Sequence, residues 1–333
     1  MIKRDLIIGL CLLAIAIAVP FLLGNRYLIT QLTLFFIWAT VVTQWNLVFG
    51  VAGIFSLAQM ALFAVGAYIT AMFSLYFGVS IWIAMVIGAI VTVAFSVLVG
   101  LACLRLRGAY VALLTFAVSQ AIFILIITDV ECFRMDGTIC YQLTGGVKGF
   151  SGFEDFGFRE ALGYKYWPIG NYFVALILLT LGMIFAFAII RSPIGFAFRA
   201  LRDNEGYAMA SGVSRFKYQL LVFALSAFFT GLAGGVYAGH FRVVGPSIFS
   251  LSLLVYLVAM MVVGGVGRPW GPIVGAALLM SADESLREFG EYRNIGIGVV
   301  IVLSVILLPN GVVGALSKWT HRFSTSKEKP VPD

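Results

Sequence analysis

From Gly50 to Leu104 the chain runs without a single charged side chain. The stretch contains two unbroken apolar runs, residues 53–77 and 81–104. Each is long enough to supply the roughly 20 apolar residues that cross a bilayer. These runs carry no charged residue on any face. Composition extends the constraint to the whole chain: 61% of residues are hydrophobic and 11% are charged, which excludes an ordinary soluble globule. The sequence therefore predicts an all-α polytopic membrane protein.

Taken in order, the first run covers residues 6–23 behind Lys3 and Arg4. No small-x-small cleavage site follows Phe21–Asn25, so it is read as an uncleaved first helix. Further runs occupy residues 27–49, 53–77, 81–104, 109–128, 168–190 and 219–239. Two short runs, 251–263 and 271–282, flank the glycine-rich GGVGRPWG and read either as tilted helices or as a re-entrant pair. The last run, 295–308, stops at Pro309 and Asn310. The expectation is about ten transmembrane segments, some short or discontinuous, in a single domain over residues 1–310. Residues 129–167 form its one large polar insertion, ending in Tyr164, Tyr166 and Trp167, and residues 311–333 are a basic tail.

The distribution of charge sets the orientation. With both termini inside, 14 of the 22 Lys and Arg face the cytoplasm, while 10 of the 15 acids face outward. Short loops rich in Lys and Arg stay on the cytoplasmic side, so residues 129–167 are expected outside and residues 191–218 inside.

That inner loop, RSPIGFAFRALRDNEGYAMASGVSRFK, opens with a helix start: Ser192 as N-cap and Pro193 in the first turn. A continuous helix would place Ile194, Phe198, Leu201, Ala208 and Gly212 on one face, and Arg199, Arg202, Asp203 and Glu205 on others. It reads either as a solvated linker or as a docking helix pushed by a cytoplasmic partner.

Little in the chain carries covalent chemistry. There is no phosphate-binding G-x-x-x-x-G-K-[ST], no HExxH, and no nucleophile with a base at recognisable spacing. His240 and His321 belong to no cluster, so no metal site is expected. Asp129, Asp283 and Glu284 stand only at segment ends, which weighs against a proton- or sodium-coupled carrier. Cys11 and Cys103 lie in apolar runs; Cys132 and Cys140 lie in the outer loop, where an oxidising compartment would let them pair.

Polar groups inside the apolar runs are small and neutral. Ser56, Gln59, Phe63, Gly66, Thr70 and Ser74 recur at alternating steps of three and four, which aligns them on one helical face. Thr115 and Ser119 lie one turn apart. Such a stripe either packs helices closely or lines a weakly polar path. Gly50 and Gly53 in one half of the chain, and Gly264, Gly265 and Gly267 in the other, interrupt apolar sequence, as broken helices do around a transport site.

Five ordered motifs, NLVFGVAGIFSLAQMALFAVGAYITAMF (46–73), LRLRGAYVALLTFA (104–117), LTGGVKGF (143–150), SPIGFAFRALRDNEGYAMASGV (192–213) and GGVGRPWGPIVGAAL (264–278), cover nearly the whole chain. In order and spacing they resemble the permease subunits of branched-chain amino-acid and urea-type ABC importers. The resemblance implies a translocation subunit of the bacterial inner membrane that binds no cofactor itself. Its partners would be a second permease subunit, two ATPase subunits carrying the ATP, and a periplasmic substrate-binding protein. The substrate would be a branched-chain or other hydrophobic amino acid, with urea, short amides or aromatic acids as alternatives. The family's docking motif, Glu-Ala-Ala with Gly four residues on, falls on Gly206, Tyr207, Ala208 and Gly212; only Ala208 and Gly212 match, and Glu205 is displaced by one. The expected coupling residues are thus Arg199, Arg202, Glu205, Ala208 and Gly212. The expected pathway residues are Gly53, Ser56, Gln59, Phe63, Gly264 and Gly265. A self-contained carrier or channel, or a membrane-embedded enzyme, are the rival classes.

Overall fold

The computed structural model describes residues 2–316 except 23, 104, 137 and 138, and leaves out the side chains of residues 2–4, 6, 136, 139, 140 and 291. Five helices open the chain: α1 (Ile2–Leu22), α2 (Arg26–Asn46), α3 (Gln59–Phe77), α4 (Ile81–Cys103) and α5 (Ala109–Ile127). The polar insertion carries the antiparallel pair β1 (Cys132–Asp136) and β2 (Ile139–Gln142), then β3 (Phe150–Ser151). Next come α6 (Phe158–Arg191), α7 (Pro193–Asp203), α8 (Glu205–Ala210), α9 (Arg215–Phe241) and β4 (Val243–Val244), which pairs with β3. The chain closes with α10 (Leu251–Gly264), α11 (Gly271–Ser285) and α12 (Arg293–Leu307).

Among the described residues, seven helices are long and apolar enough to cross a membrane. They are α2 with the wide turn that follows it, α3, α4, α5, α6, α9, and α12 extended to Leu316. The apolar part of α1 (Ile7–Leu22) and all of α10 are shorter. At 1.5 Å per residue the 14 residues of α10 reach only about 21 Å, against about 30 Å of hydrocarbon.

Three boundaries differ from the sequence reading. Residues 53–58 are not helical, because α2 ends in a π-type turn (Leu47–Val51) and α3 restarts only at Gln59. The helix predicted from residue 168 begins at Phe158 and contains a break at Gly163, so the end of the polar insertion is helical. The basic loop forms two helices, because Asn204 is extended (φ −155°, ψ 101°) and caps α8 by accepting from the Tyr207 amide. Ala208 and Gly212 therefore do not continue the face of Ile194 and Phe198.

The centre of the bundle is α3 against α4 and α9. Lipid offers helices no hydrophobic drive to associate, so close backbone approach decides the packing. A Cβ on Gly66 would lie 2.6 Å from the Gly231 Cα, and one on Gly231 would lie 2.9 Å from the Ala89 Cα. Thr70 and Thr92 return their hydroxyls to the carbonyls of Gly66 and Gly88, each at 2.7 Å, so they add no unpaired polar atom to the seam.

The helix ends segregate into two sets. At one end Arg26 reaches Tyr164 O (2.8 Å), Tyr27 donates to Glu284 (2.7 Å), Arg293 grips Asp283, and Asp129 accepts from the Thr144 amide and hydroxyl at 2.6 and 2.7 Å. Asp129, Asp283 and Glu284 are thus each partnered there. Cys132 on β1 is disulfide-bonded, while Cys11 and Cys103 are free. The Cys140 side chain lies outside the described residues, as do Lys318, Arg322, Lys327 and Lys329 of the tail. The opposite, basic end holds Arg107, Arg202, Arg215 and Arg268, and its connections are described next.

Candidate functional site

Asn46 closes α2 at the basic end, and its carboxamide spends both of its polar atoms on a distant part of the chain. Oδ1 accepts from the Gly267 amide at 2.7 Å, and Nδ2 donates to the Arg268 carbonyl at 3.0 Å. This satisfies backbone groups that the α10–α11 connection cannot pair within a helix. Gly50 stands one turn on, and its missing side chain admits that connection: a Cβ would lie 2.7 Å from the Gly267 Cα. The glycine interruptions of the two halves thus meet as one piece. Gly264 and Gly265 extend it toward α11 and α12. A Cβ on Gly264 would come 2.9 Å from the Gly275 amide, and one on Gly265 would come 3.1 Å from the Asn310 carbonyl.

The non-helical segment after Gly50 needs partners for its backbone, because none is available in lipid. Three helices supply them. Trp45 Nε1 on α2 donates to Ser56 O (2.8 Å), Thr115 Oγ1 on α5 accepts from the Leu57 amide (2.9 Å), and Arg202 on α7 donates from Nη1 to Gly50 O (2.8 Å). The Arg202 stem also lies over Gly53, where a Cβ would be 3.0 Å from the Arg202 Cβ.

α7 starts as predicted, with Ser192 Oγ accepting from the Gly195 amide (3.4 Å) and Pro193 in the first turn. It buries Gly195, Ala197 and Phe198, and leaves Phe196 exposed. Arg199 turns back and donates to the Ile190 carbonyl at 2.7 Å, placing a cation at the C-terminal end of α6. Glu205 accepts from Arg215 Nη1 (2.9 Å) and Arg107 Nη2 (3.3 Å), while Arg215 Nη2 donates to Leu106 O (3.1 Å). Ala208 is buried. Gly212 adopts φ +89° as α8 ends, with the Val213 amide returning to Ala208 O (3.0 Å). The space around it is open, so backbone conformation, and no neighbouring atom, is what selects glycine there.

The sequence-predicted coupling residues therefore divide. Arg199, Arg202 and Glu205 use their charges on this chain, fastening α7 and α8 to α6, to the glycine piece and to the α4–α5 turn. The large apolar side chains that α7 and α8 leave exposed are Phe196, Tyr207 (77% exposed) and Met209; of these the sequence names only Tyr207, as a motif position that does not match.

The pathway candidates Gln59 and Phe63 are buried along α3 with Gly66, Thr70 and Ser74 of the same stripe. Ser56 precedes the helix and joins the segment held by Trp45 instead. Gln59 Nε2 donates to the Thr230 hydroxyl of α9, and Phe63 packs between Trp38 (5.0 Å) and Tyr237 (5.5 Å). Within this chain the stripe is a helix-packing seam. The residues missed from sequence were Asn46, Arg107 and Arg215. Asn46 left a signal, as an amide in apolar sequence four residues before a glycine.

The family described as "Branched-chain amino acid transport system / permease component" matches residues 27–307. The chain is 30% identical to the high-affinity branched-chain amino acid transport system permease protein LivM of Salmonella typhimurium, over 94% of this chain and 75% of that protein. LivM of Escherichia coli gives the same identity and coverage. A shorter stretch, 48% of this chain and 50% of the relative, is 25% identical to the guanosine ABC transporter permease protein NupQ of Bacillus subtilis. No solved structure matches.

Proposed function

Because the chain belongs to the permease component family of branched-chain amino acid transport systems, we propose that it is one translocation subunit of an ATP-driven importer for branched-chain or other hydrophobic amino acids. It would cross the inner membrane about ten times, with α1, α10 and α11 as the short crossings and both termini cytoplasmic. It would receive substrate from a periplasmic binding protein and work beside a second permease subunit. Of the importer's two ATPase subunits, one would press on α7 and α8 through Phe196, Tyr207 and Met209, with Gly212 shaping the exit from α8.

The observation that carries this reading is the Arg202–Gly50 hydrogen bond, since it joins the basic loop to the place where both interrupted segments meet. A push on α7 is then delivered to Gly53 and Ser56 on one side, and through Gly267 to Gly264 and Gly265 on the other. Gln59 and Phe63 would follow, because they head the helix that the moved segment leads into. Interfaces of this kind switch between discrete packings and do not deform smoothly.

The test is co-expression of the chain with the partner permease and ATPase subunits. Leucine uptake into proteoliposomes should require this chain, ATP and the binding protein together. Uptake by the chain alone would instead make it a self-contained carrier.

A further inference from the structure

The basic end also holds a cavity of about 280 Å³, bordered by Gly53, Arg202 and Glu205. Four segments converge on it: residues 52–55, the α4–α5 turn, the α7–α8 junction and the start of α9. Its polar side is built by Arg107, Arg215 and Glu205, and its apolar side by Ile54, Phe55 and Val111.

The charges there do not balance. Arg202 spends its guanidinium on Gly50 O and Asp203. Arg107 and Arg215 both rest on one oxygen, Oε1, of Glu205, which leaves one positive charge in excess. Arg215 Nε is buried without a partner, although its side chain is mostly enclosed. Arg107 holds Glu205 by Nη2 alone and is 73% exposed along its side chain, so most of its donors stand open. The same wall contains Gly108, which opens α5 without a capping side chain and accepts from the Val111 amide at 3.2 Å. One uncompensated guanidinium charge at the wall of the cavity, with most donors of Arg107 open, calls for an anion with several acceptor oxygens. Phosphate suits an Arg fork.

We propose that this cavity binds the phosphate of an acidic phospholipid. The apolar half decides between a lipid and a free anion. A dissolved ion gains nothing from Ile54, Phe55 and Val111, whereas a phospholipid lays its glycerol and upper acyl chain on them. The cavity also lies where α4 ends and α5 and α9 begin, which is headgroup level for membrane-crossing helices. A bound phosphate would tie the α4–α5 turn and α9 to α8, so the lipid becomes a strut for the basic loop. The inference rests on membrane residence and not on the importer reading.

Native mass spectrometry of the purified full-length chain tests it, with phosphatidylglycerol and phosphatidylcholine offered at equal concentration. Wild type should retain one phosphatidylglycerol about ten-fold more tightly than phosphatidylcholine. Arg107→Gln should remove that preference while the lipid-free protein melts like wild type, because the Arg107–Glu205 pair is exposed; Arg107→Lys should keep part of the preference, and Lys217→Gln, an exposed charge at the same end, should leave it intact. Equal loss in the Arg107→Gln and Lys217→Gln variants would mean non-specific attraction to charge and would overturn the site. Complete displacement of the lipid by millimolar inorganic phosphate would make the ligand a free anion and overturn the lipid assignment.

Discussion

Arg202 on α7 crosses 152 positions of sequence to place Nη1 2.8 Å from the carbonyl oxygen of Gly50. The same guanidinium holds Asp203 through Nε at 3.0 Å, so its plane is fixed from two sides. Arg202→Ala removes the charge-assisted bond to Gly50 O and the exposed pair with Asp203, which contributes little, and should cost about 1 kcal/mol of stability. The larger effect should appear in coupling: assembled with its ATPase subunits, the variant should hydrolyse ATP while leucine uptake per ATP falls about ten-fold. Unchanged uptake per ATP would show that force reaches the glycine piece by another route.

Gly50→Ala tests the glycine piece itself. The added methyl meets the Gly267 backbone and the Asn46 carboxamide, neither of which can retreat without losing the Asn46 hydrogen bonds. Overpacking of this kind costs about 1–3 kcal/mol. The variant should melt several degrees lower in detergent, and Gly206→Ala, in more open space on α8, should not.

Docking and backbone strain can be separated on α8. Gly212→Leu forces a side chain into φ +89° and should destabilise the loop by about 1–2 kcal/mol whether or not a partner binds. Tyr207→Ala makes no such demand, because the ring is exposed and the backbone helical. It should melt like wild type yet lose the ATPase subunits during purification. If Tyr207→Ala co-purifies with the ATPase normally, α8 is not the contact.

Gln59→Leu separates a path wall from a packing seam. The substitution deletes the bond to Thr230, whose hydroxyl still donates to Ser226 O (2.8 Å), so stability should fall by only about 1 kcal/mol. Uptake should drop with the ATPase still bound. Normal uptake together with a lowered melting temperature would leave Gln59 as packing alone.

Labelling of single introduced cysteines should place residue 204 on the cytoplasmic side and residue 155 outside. In the same preparations, peptide mapping without reductant should recover Cys132 joined to Cys140, a closure worth about 2–3 kcal/mol to the outer loop. Labelling of residue 155 from the cytoplasm would invert the map, and a Cys132 bridge to any other cysteine would cancel the pairing.

The apolar runs foretold the helices because length and composition in a membrane leave little else for them to form. What they could not show is where a helix stops without a charge or a proline to stop it. Residues 53–58 are as apolar as their surroundings; Gly53 turns to φ +71°, and Trp45 and Thr115 take up the backbone groups of Ser56 and Leu57. The stripe on α3 had the right period, yet period does not reveal what lies opposite, and α9 does. In the basic loop a periodic face suggested one helix because Asn204 is also an ordinary helix surface residue. Its capping bond to the Tyr207 amide is visible only in three dimensions. The glycines on both sides of the chain were legible as interruptions, and their meeting was not, since it depends on a contact 221 residues long.

That contact also sets an order of events during synthesis. Asn46 emerges early, but the amide and carbonyl it serves belong to residues 267 and 268. At about 5–20 residues per second, the carboxamide waits roughly 10–45 s for them. Until then the end of α2 is a polar stub in a membrane, open to a chaperone or to premature pairing. A chain truncated before Gly264 should keep its early helices inserted and still be recognised as unfinished at Asn46.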